Sequence, residues 1–376
     1  MDSPDTYRSE ILAAITPLPA RELDLASAYG AVLAADVTAR WHLPAFDNSA
    51  MDGYAVLASD LATASAQAPV TLPVDGEIPA GATGDRTLKP GSVIRIMTGA
   101  PMPAGADAVV QVEATDGGTE RVAIREAVSP GASIRRRGGD AKPGDLLLRG
   151  GSRVGPVELG LLATAGLGSV TARPVPRVTV ISTGNELIEP GQPVARGQIW
   201  ESNSVMLAAV QDAMTGADLL ITSGGVSMGA EHDVVKAALS RLGTVTFRKV
   251  AMQPGMPQGF GVVGSGTPIF TLPGNPVSAY VSFWLFVAPA LAALQDYSPE
   301  RLTKTKAVLS APARSPAGKR SFLRGALDRQ AGTVTPVSGQ ASHQLAALAR
   351  ANVLIEVPEP VTQLAAGDPV DILELP

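Results

Sequence analysis

Three glycine-containing turns hold many of the side chains in this sequence that could bind an anionic ligand. They read STGNEL at 182–187, TSGGVSMG at 222–229 and LPGNPVS at 272–278. Glycine lets the backbone approach a ligand closely, while hydroxyls, exposed N–H groups and the positive end of a following helix can hold a phosphate. One such turn alone is usually no more than the connection between a strand and a helix. Three of them in one segment favour an anion-binding crevice.

Acidic residues stand beside two of these turns. Glu186 belongs to the first, and Asp233 follows the second. A carboxylate next to a phosphate is repulsive unless a hard cation lies between them, and Mg²⁺ takes one or two carboxylates together with substrate phosphates. Both residues are therefore candidate Mg²⁺ ligands. For Asp233, stabilisation of the dipole of the following helix is an equally good explanation.

Each turn follows a short apolar run rich in β-branched residues, and helical sequence follows the turns. The runs are VTVIST, DLLITS and PIFTL. This alternation predicts an α/β domain over 177–300, with a parallel sheet covered by helices on both faces. Ligands of such sheets bind outside the carboxyl ends of the strands, where the turns lie.

The third turn leads into an apolar run at 277–294. Asn275 can cap the following helix, and Pro276 can take its first position. The run approaches the length of a membrane-spanning helix. Its two serines, its proline and the tight turn before it favour instead a helix buried in the fold or at a dimer interface.

The remaining sequence predicts smaller modules, so the chain as a whole is expected to be an α/β multidomain protein. Apolar residues at helical spacing over 5–40 and 157–166 predict helices, whereas short runs broken by Gly, Pro and Asp predict β structure. The predicted segments are an N-terminal helical and linker domain at 1–45 and 141–176, an inserted β domain at 46–140, and a small C-terminal β-barrel-like domain at 301–376.

Composition excludes several classes of protein. Among 376 residues, 39 Gly and 31 Pro exclude a coiled coil or helical bundle, and a net charge of −5 predicts no nucleic-acid partner. Without cysteine there is no disulfide, thiol nucleophile or Cys-ligated metal, and three scattered His make a His-rich metal site a poor expectation. The arginines at 135–137 are most simply a solvated basic edge. The polar start MDSPDTYRSE predicts no secretory signal, so a soluble cytoplasmic protein is expected.

The motif NSAMDGYAV at 48–56 connects these features to a family. It is followed in order by IRIMTGAPMPAGADAVVQVE, RRRGGDAKPGD and the three turns, and the combination resembles molybdopterin molybdenumtransferase from about residue 20 to the C-terminus. This is the last enzyme of molybdenum cofactor assembly and is related to the C-terminal part of gephyrin. The resemblance implies an elongated homodimer that cleaves adenylylated molybdopterin with Mg²⁺, inserts molybdate at the dithiolene and releases AMP.

The resemblance also implies which residues act. Those matching the family's essential positions are Asp52, Thr98, Asp140, Glu186 and Asp233. The turns would bind the pterin substrate through Thr183, Gly184, Ser223, Gly224, Gly225, Ser227, Pro273, Gly274, Asn275, Pro276 and Ser278. Arg324 and Ser342 match positions linked to oxyanion handling. In a family-type dimer, the first three essential residues would approach the crevice of the other subunit.

Substitutions in two motifs distinguish the chain from the family pattern. Asn185 replaces an acid in the first turn, and the family's KPGKP loop reads QPGMP at 253–257, so two lysines are lost. Losing the lysine charges should weaken the attraction for molybdate, whereas losing the acid removes a negative charge beside the proposed metal. Our hypothesis is that Arg324 and the upstream Lys249 carry the oxyanion instead.

A third difference is a shortened connection. The family has an additional strand, acidic loop and helix where only residues 215–217 here link VMLAAVQDAM to the strand ADLLITS. One helix is long enough for a parallel crossover, so loss of an edge strand is topologically allowed. An intact mass that matches 38.4 kDa would confirm the deletion, whereas a larger mass would show that further residues are present.

Two other functions remain open from the sequence. The losses just described also suit a pterin-binding scaffold that has little or no turnover. A molybdopterin adenylyltransferase is a weaker alternative, because the modules around Asp52 and Asp140 argue against it. Release of AMP on incubation with adenylylated molybdopterin, Mg²⁺ and molybdate separates the transferase from the scaffold.

Overall fold

The computed structural model describes residues 1–182, 187–201, 218–224, 245–263, 266–297 and 304–375. The chain forms two compact units, one of residues 1–34 with 170–376 and the other of residues 35–169. The finer division into four segments stays a prediction.

The first unit contains a five-stranded sheet that ends in the three turns. Its strands are numbered in chain order: β1 Val178–Ser182, β2 Leu219–Ser223, β3 Val245–Lys249, β4 Pro257–Val263 and β5 Thr267–Leu272. The spatial order is β1-β2-β5-β4-β3. β1, β2 and β5 are parallel, β4 pairs antiparallel with β5, and β3 pairs antiparallel with β4. The three strands predicted from apolar runs are therefore confirmed, and the antiparallel pair is an addition that the sequence did not indicate.

The apolar helix Pro276–Leu294 covers one face of this sheet. It includes one π-helical turn at Phe283–Val287, and 72% of its most apolar stretch is buried. It is the one helix among the described residues that is long and apolar enough to cross a membrane. Its packing within the main hydrophobic core confirms a buried helix. The segments predicted to cover the other face lie outside the described residues.

The N-terminal helix, Pro4–Ala14, packs on the apolar helix through an edge-to-face contact of Tyr7 with Phe286, whose ring centroids are 4.9 Å apart. Ser3 caps it, because its Oγ accepts from Thr6 N at 3.1 Å. The residues before the helix also reach the end of β3, where Ala251 N donates to the Asp2 carbonyl at 2.8 Å.

The C-terminal region is a closed five-stranded barrel, as predicted. Its strands are β6 Lys304–Leu309, β7 Arg320–Asp328, β8 Thr333–Pro336, β9 Val353–Val357 and β10 Pro369–Glu374. β7 pairs with both β8 and β9, and β6 and β10 complete the ring. Branched aliphatic side chains fill the interior. The short strand Met252–Gln253 runs parallel to β7, a two-residue pair joins Ala313–Arg314 to Gln363–Leu364, and Leu345–Leu348 forms one helical turn.

The unit of residues 35–169 is mostly β structure, and its main sheet lies within the segment 46–140 predicted to be β. Its main sheet has the spatial order Ala108–Gln111, Gly53–Val56, Val93–Ile96, Val70–Ile78 and Arg121–Ile124. The smaller elements are the strand pairs Val37–Thr38 with Leu146–Leu148 and Asn48–Ser49 with Ile134–Arg135, the helix Pro156–Thr164, and 3₁₀ turns at Ala58–Leu61 and Val112–Ala114.

The helical prediction for residues 5–40 is wrong beyond Ala14. The strands Arg21–Asp24 and Val32–Leu33 flank Ser169–Arg173 in a small sheet instead. Two prolines at 17 and 19 stop the helix, because proline removes a backbone donor and constrains the residue before it. Leu23, Ala28, Ala31 and Leu33 are buried from turns and short strands instead.

Candidate active site

The three parallel strands end at the same level. Ser182 of β1 pairs with Ser223 of β2, and Ser223 pairs with Leu272 of β5. Gly224 N donates to the Leu272 carbonyl at 3.1 Å, and Gly224 has φ +91°, a conformation that favours glycine. A side chain at Gly274 would lie 3.7 Å from the Gly224 Cα. The second and third turns are therefore in direct contact, as a shared crevice requires.

Several predicted site residues fall outside the described part of the chain. These are Thr183, Gly184, Glu186, Gly225, Ser227 and Asp233. Their roles stay predictions. Of the described crevice residues, Ser223, Pro273 and Ser278 are buried, while Gly274 and Asn275 are exposed at the mouth of the third turn.

A carboxylate that the sequence analysis missed lies at the end of β1. Ser182 Oγ donates to Glu201 Oε1 at 2.8 Å. The chain returns there because Leu187–Ile188 pairs with Ile199–Trp200, and Glu201 N donates to the Ile188 carbonyl at 2.9 Å. The signal was an acid directly after an apolar pair, but only the strand pairing shows that it returns to the crevice edge.

The third turn is joined to the barrel. Asn275 occupies the N-cap position with extended φ and ψ, but its side chain makes no capping bond, which corrects the prediction. Its Nδ2 donates to Ser342 Oγ at 3.0 Å, and Val277 N donates to the Ser342 carbonyl at 3.1 Å. Pro276 takes the first helical position, as predicted. Ser342 therefore satisfies the start of the apolar helix, and one predicted oxyanion residue touches the crevice.

Arg324 in β7 is a fully buried cation with unused donors. The residue is 0% exposed, and burial lowers the pKa of its guanidinium from the ordinary value. Nη2 donates to the carbonyls of Gly339 and Ala341, the second at 3.3 Å, whereas Nε and Nη1 hydrogen-bond to none of the described residues. An unpaired buried charge is costly. A guanidinium with two nitrogens that no described residue engages is well suited to bind an oxyanion.

Lys249 is the third predicted oxyanion residue. It is exposed at the end of β3, opposite Pro257, and makes no ion pair within the described ranges. The turn that contains Gly255 is held by the buried side chain of Gln258, which is 1% exposed. Its Nε2 donates to the Gly255 carbonyl and to Ser282 Oγ, both at 2.6 Å. No described contact links Lys249 to Arg324.

In the other unit, Asp52 and Thr98 form a close pair. Asp52 Oδ1 accepts from Thr98 N at 2.7 Å and from Thr98 Oγ1 at 2.8 Å. These bonds hold the pKa of the Asp52 carboxyl below its ordinary value, and Arg95 adds to the effect. Gly53 is required next to it, because a Cβ there would lie 1.9 Å from the Val110 carbonyl oxygen.

Asp140 lies at the surface of the same unit. Its N donates to the Leu43 carbonyl at 2.9 Å, and its side chain is exposed. Of the arginines before it, Arg136 pairs with Asp47 at 2.7 Å and all three are exposed, which agrees with a solvated basic edge. The pairing of 48–49 with 134–135 links the segments that carry Asp52 and Asp140, although no described contact joins the two carboxylates.

The described residues include no group of three or more His, Cys, Asp or Glu side chains placed to hold a metal ion. Both predicted Mg²⁺ ligands, Glu186 and Asp233, lie in segments that are not described. The oxygen-bearing side chains at the described crevice edge are Ser182, Ser223 and Glu201.

Three family descriptions match successive parts of the chain. Residues 3–166 match the MoeA N-terminal region (domain I and II), residues 205–293 a probable molybdopterin binding domain, and residues 306–375 the MoeA C-terminal region (domain IV). Together they cover both units.

Individual proteins match over nearly the full length. Molybdopterin molybdenumtransferase 2 of Mycobacterium tuberculosis (strain ATCC 25618 / H37Rv) is 49% identical over 402 residues, covering 98% of this chain and 97% of that protein. The molybdopterin molybdenumtransferase of Haemophilus influenzae is 36% identical, with 98% and 97% covered. A crystal structure of the molybdopterin biosynthesis moeA protein from Pyrococcus horikoshii OT3 is 28% identical, covers 100% of both chains and has a TM-score of 0.76. The 402 aligned positions exceed the 376 residues of this chain, so the alignment contains gaps in this chain.

Proposed function

Because this chain belongs to the molybdopterin molybdenumtransferase family, we propose that it inserts molybdate into adenylylated molybdopterin and releases AMP. The observation that carries the proposal is the buried guanidinium of Arg324, whose Nε and Nη1 have no partner in the described part of the chain. Nη2 of the same guanidinium is bonded to residues 339 and 341, directly before the serine that touches the third turn. This neighbourhood supports an oxyanion site next to a site suited to phosphate.

In this proposal each ligand group has its own set of donors. Arg324 directs two N–H groups at molybdate, and the exposed ammonium of Lys249 adds charge without fixed geometry. The second and third turns offer backbone N–H groups and hydroxyls to the phosphates. Since charge must be balanced around a dianion and a diphosphate, fixed cationic donors favour their approach to one another. The protein needs no nucleophile of its own.

We include Mg²⁺ as the metal of this reaction, held by Glu186 and Asp233. Glu201 is the described carboxylate at this edge, and its oxygen is of the hard type that Mg²⁺ takes. When bound, Mg²⁺ supplies polarisation of the bridging phosphate. Glu201 is itself held by the Ser182 hydroxyl, which keeps one carboxylate oxygen oriented at the end of β1.

The residues of the second unit are proposed to act in a cytoplasmic homodimer. Asp52, Thr98 and Asp140 would close the crevice of the other subunit and hold metal-bound phosphate or water. In support, the Asp52 carboxyl is exposed, and its hydrogen bonds from Thr98 lower its pKa and so favour the ionised form. One Asp52 oxygen is committed to Thr98, so the other is available to a ligand.

AMP release tests the proposal. The purified protein is incubated with adenylylated molybdopterin and Mg²⁺, and AMP is measured with and without sodium molybdate. Molybdate-dependent AMP release supports the transferase. Pterin binding without release supports the scaffold, which Gln253 and Met256 favour because they replace the family's lysines. Formation of the adenylylated pterin from ATP would support the adenylyltransferase.

A further inference from the structure

The loop after β8 is attached to β7 by a side chain. Backbone pairing of the two strands ends where Gly325 pairs with Pro336 and Val337 N donates to the Arg324 carbonyl at 2.8 Å. Beyond that point the side-chain amide of Gln340 makes the hydrogen bonds that join the loop to β7. Its Oε1 accepts from Arg324 N at 3.0 Å, and its Nε2 donates to the carbonyls of Arg324 at 3.0 Å and Val337 at 2.7 Å.

These bonds fix both ends of the Arg324 side chain. Gln340 holds the Arg324 backbone directly. The residues on either side of Gln340, namely Gly339 and Ala341, supply the carbonyls that accept from Nη2. Gln344 supports the outer part of the loop, because its Oε1 accepts from Ala341 N at 3.0 Å. The guanidinium is thus held through one nitrogen, while Nε and Nη1 hydrogen-bond to no described residue.

We propose that Gln340 is a positioning residue for the oxyanion site, which keeps two N–H groups of Arg324 directed at molybdate. The inference rests on the proposed function. A long, flexible side chain presents paired donors effectively only when its rotamer is locked by neighbouring bonds. Without the Gln340 amide the loop loses three hydrogen bonds, its carbonyls no longer hold Nη2 in place, and the guanidinium can turn toward other acceptors.

The test substitutes Gln340→Met, which keeps the length and volume of the side chain but removes its hydrogen bonds. Gln330→Met is the matched control, since Gln330 is exposed in the turn between β7 and β8. AMP release is measured against sodium molybdate concentration. We expect the KM for molybdate to rise about tenfold, with kcat at saturating molybdate within twofold of the parent. The control should keep the parent KM. The stabilisation of the folded protein by sodium molybdate, measured as a shift in Tm, should shrink in parallel.

A purely structural role would give a different result. In that case Gln340→Met lowers Tm or kcat and leaves both the KM and the molybdate-induced Tm shift at parent values, which overturns the inference. Gln340→Asn, whose amide is one methylene too short to make all three bonds, gives the same readout if the Met variant does not fold. If Arg324→Met raises the KM and Gln340→Met does not, only this inference fails. If neither variant changes the KM or the Tm shift, the oxyanion site itself fails.

Discussion

Replacing Arg324 with methionine should weaken molybdate binding strongly and protein stability little. A hydrogen bond to a charged group is worth about 1.5–3 kcal/mol. Loss of Nε and Nη1 therefore removes about 3 kcal/mol of molybdate binding, and at about 1.4 kcal/mol per tenfold this raises the half-saturating molybdate concentration about a hundredfold.

The free energy of unfolding should change much less. Arg324→Met loses the two bonds from Nη2 to the loop carbonyls, but it also removes a buried cation with two nitrogens that have no partner among the described residues. These effects oppose each other, so we expect a net change of about 1 kcal/mol or less.

The assay follows AMP release at increasing sodium molybdate, together with urea unfolding of each variant. Arg329→Met is the matched control, because Arg329 lies in the turn after β7, is 70% exposed and, within the described part of the chain, pairs with Glu374. A half-saturating molybdate concentration within twofold of the parent for Arg324→Met would refute the assignment. A loss of several kcal/mol of stability would show that the guanidinium is a structural group.

Three further outcomes are expected. Thr98→Val should raise the pKa of Asp52 toward its ordinary value, which NMR titration of the carboxyl carbon measures. Because the pKa of Asp52 is lowered in the folded parent, its hydrogen bonds from Thr98 stabilise the fold above the ordinary Asp pKa. The difference in unfolding free energy between parent and variant should vanish as the pH falls through the lowered pKa. Gln258→Leu leaves the Ser282 hydroxyl without the Gln258 amide donor and should lower the free energy of unfolding by about 1–3 kcal/mol in urea titrations. An unchanged free energy of unfolding would contradict the 2.6 Å hydrogen bond from Gln258 Nε2 to Ser282 Oγ. Lys249→Met should raise the half-saturating molybdate concentration only a few-fold, by about 1 kcal/mol or less, and the difference should disappear in high salt, because Lys249 is exposed.

The crevice edge could be predicted because its signals are local. The β-branched runs of β1, β2 and β5 are each followed directly by a glycine turn, and parallel strands bring their carboxyl ends to one edge. The same local reasoning failed over 21–38, where Ala and Leu fit helical spacing but prolines and glycine turns impose short strands. Hydrophobic spacing alone does not distinguish these cases when the segment is short.

The contacts between segments that are distant in the sequence could not be predicted. Asn275 and Ser342 are 67 residues apart, and their hydrogen bond depends on how the barrel packs beside the sheet. The sequence indicated a capping role for Asn275, which is the common use of asparagine before a helix. Glu201 was missed for the same reason, because it is brought to β1 by the pairing of two strands that are each only two residues long. Such short strands have no recognisable sequence pattern.

Ser342 makes two bonds to the third turn, one through its hydroxyl and one through its carbonyl. A substitution there disturbs the barrel loop and the start of the apolar helix together. Evolution therefore has little freedom to retune these two regions separately, and residues 275 and 342 are expected to covary among related sequences. Designers who graft this barrel onto another sheet will need to transplant both positions as a unit.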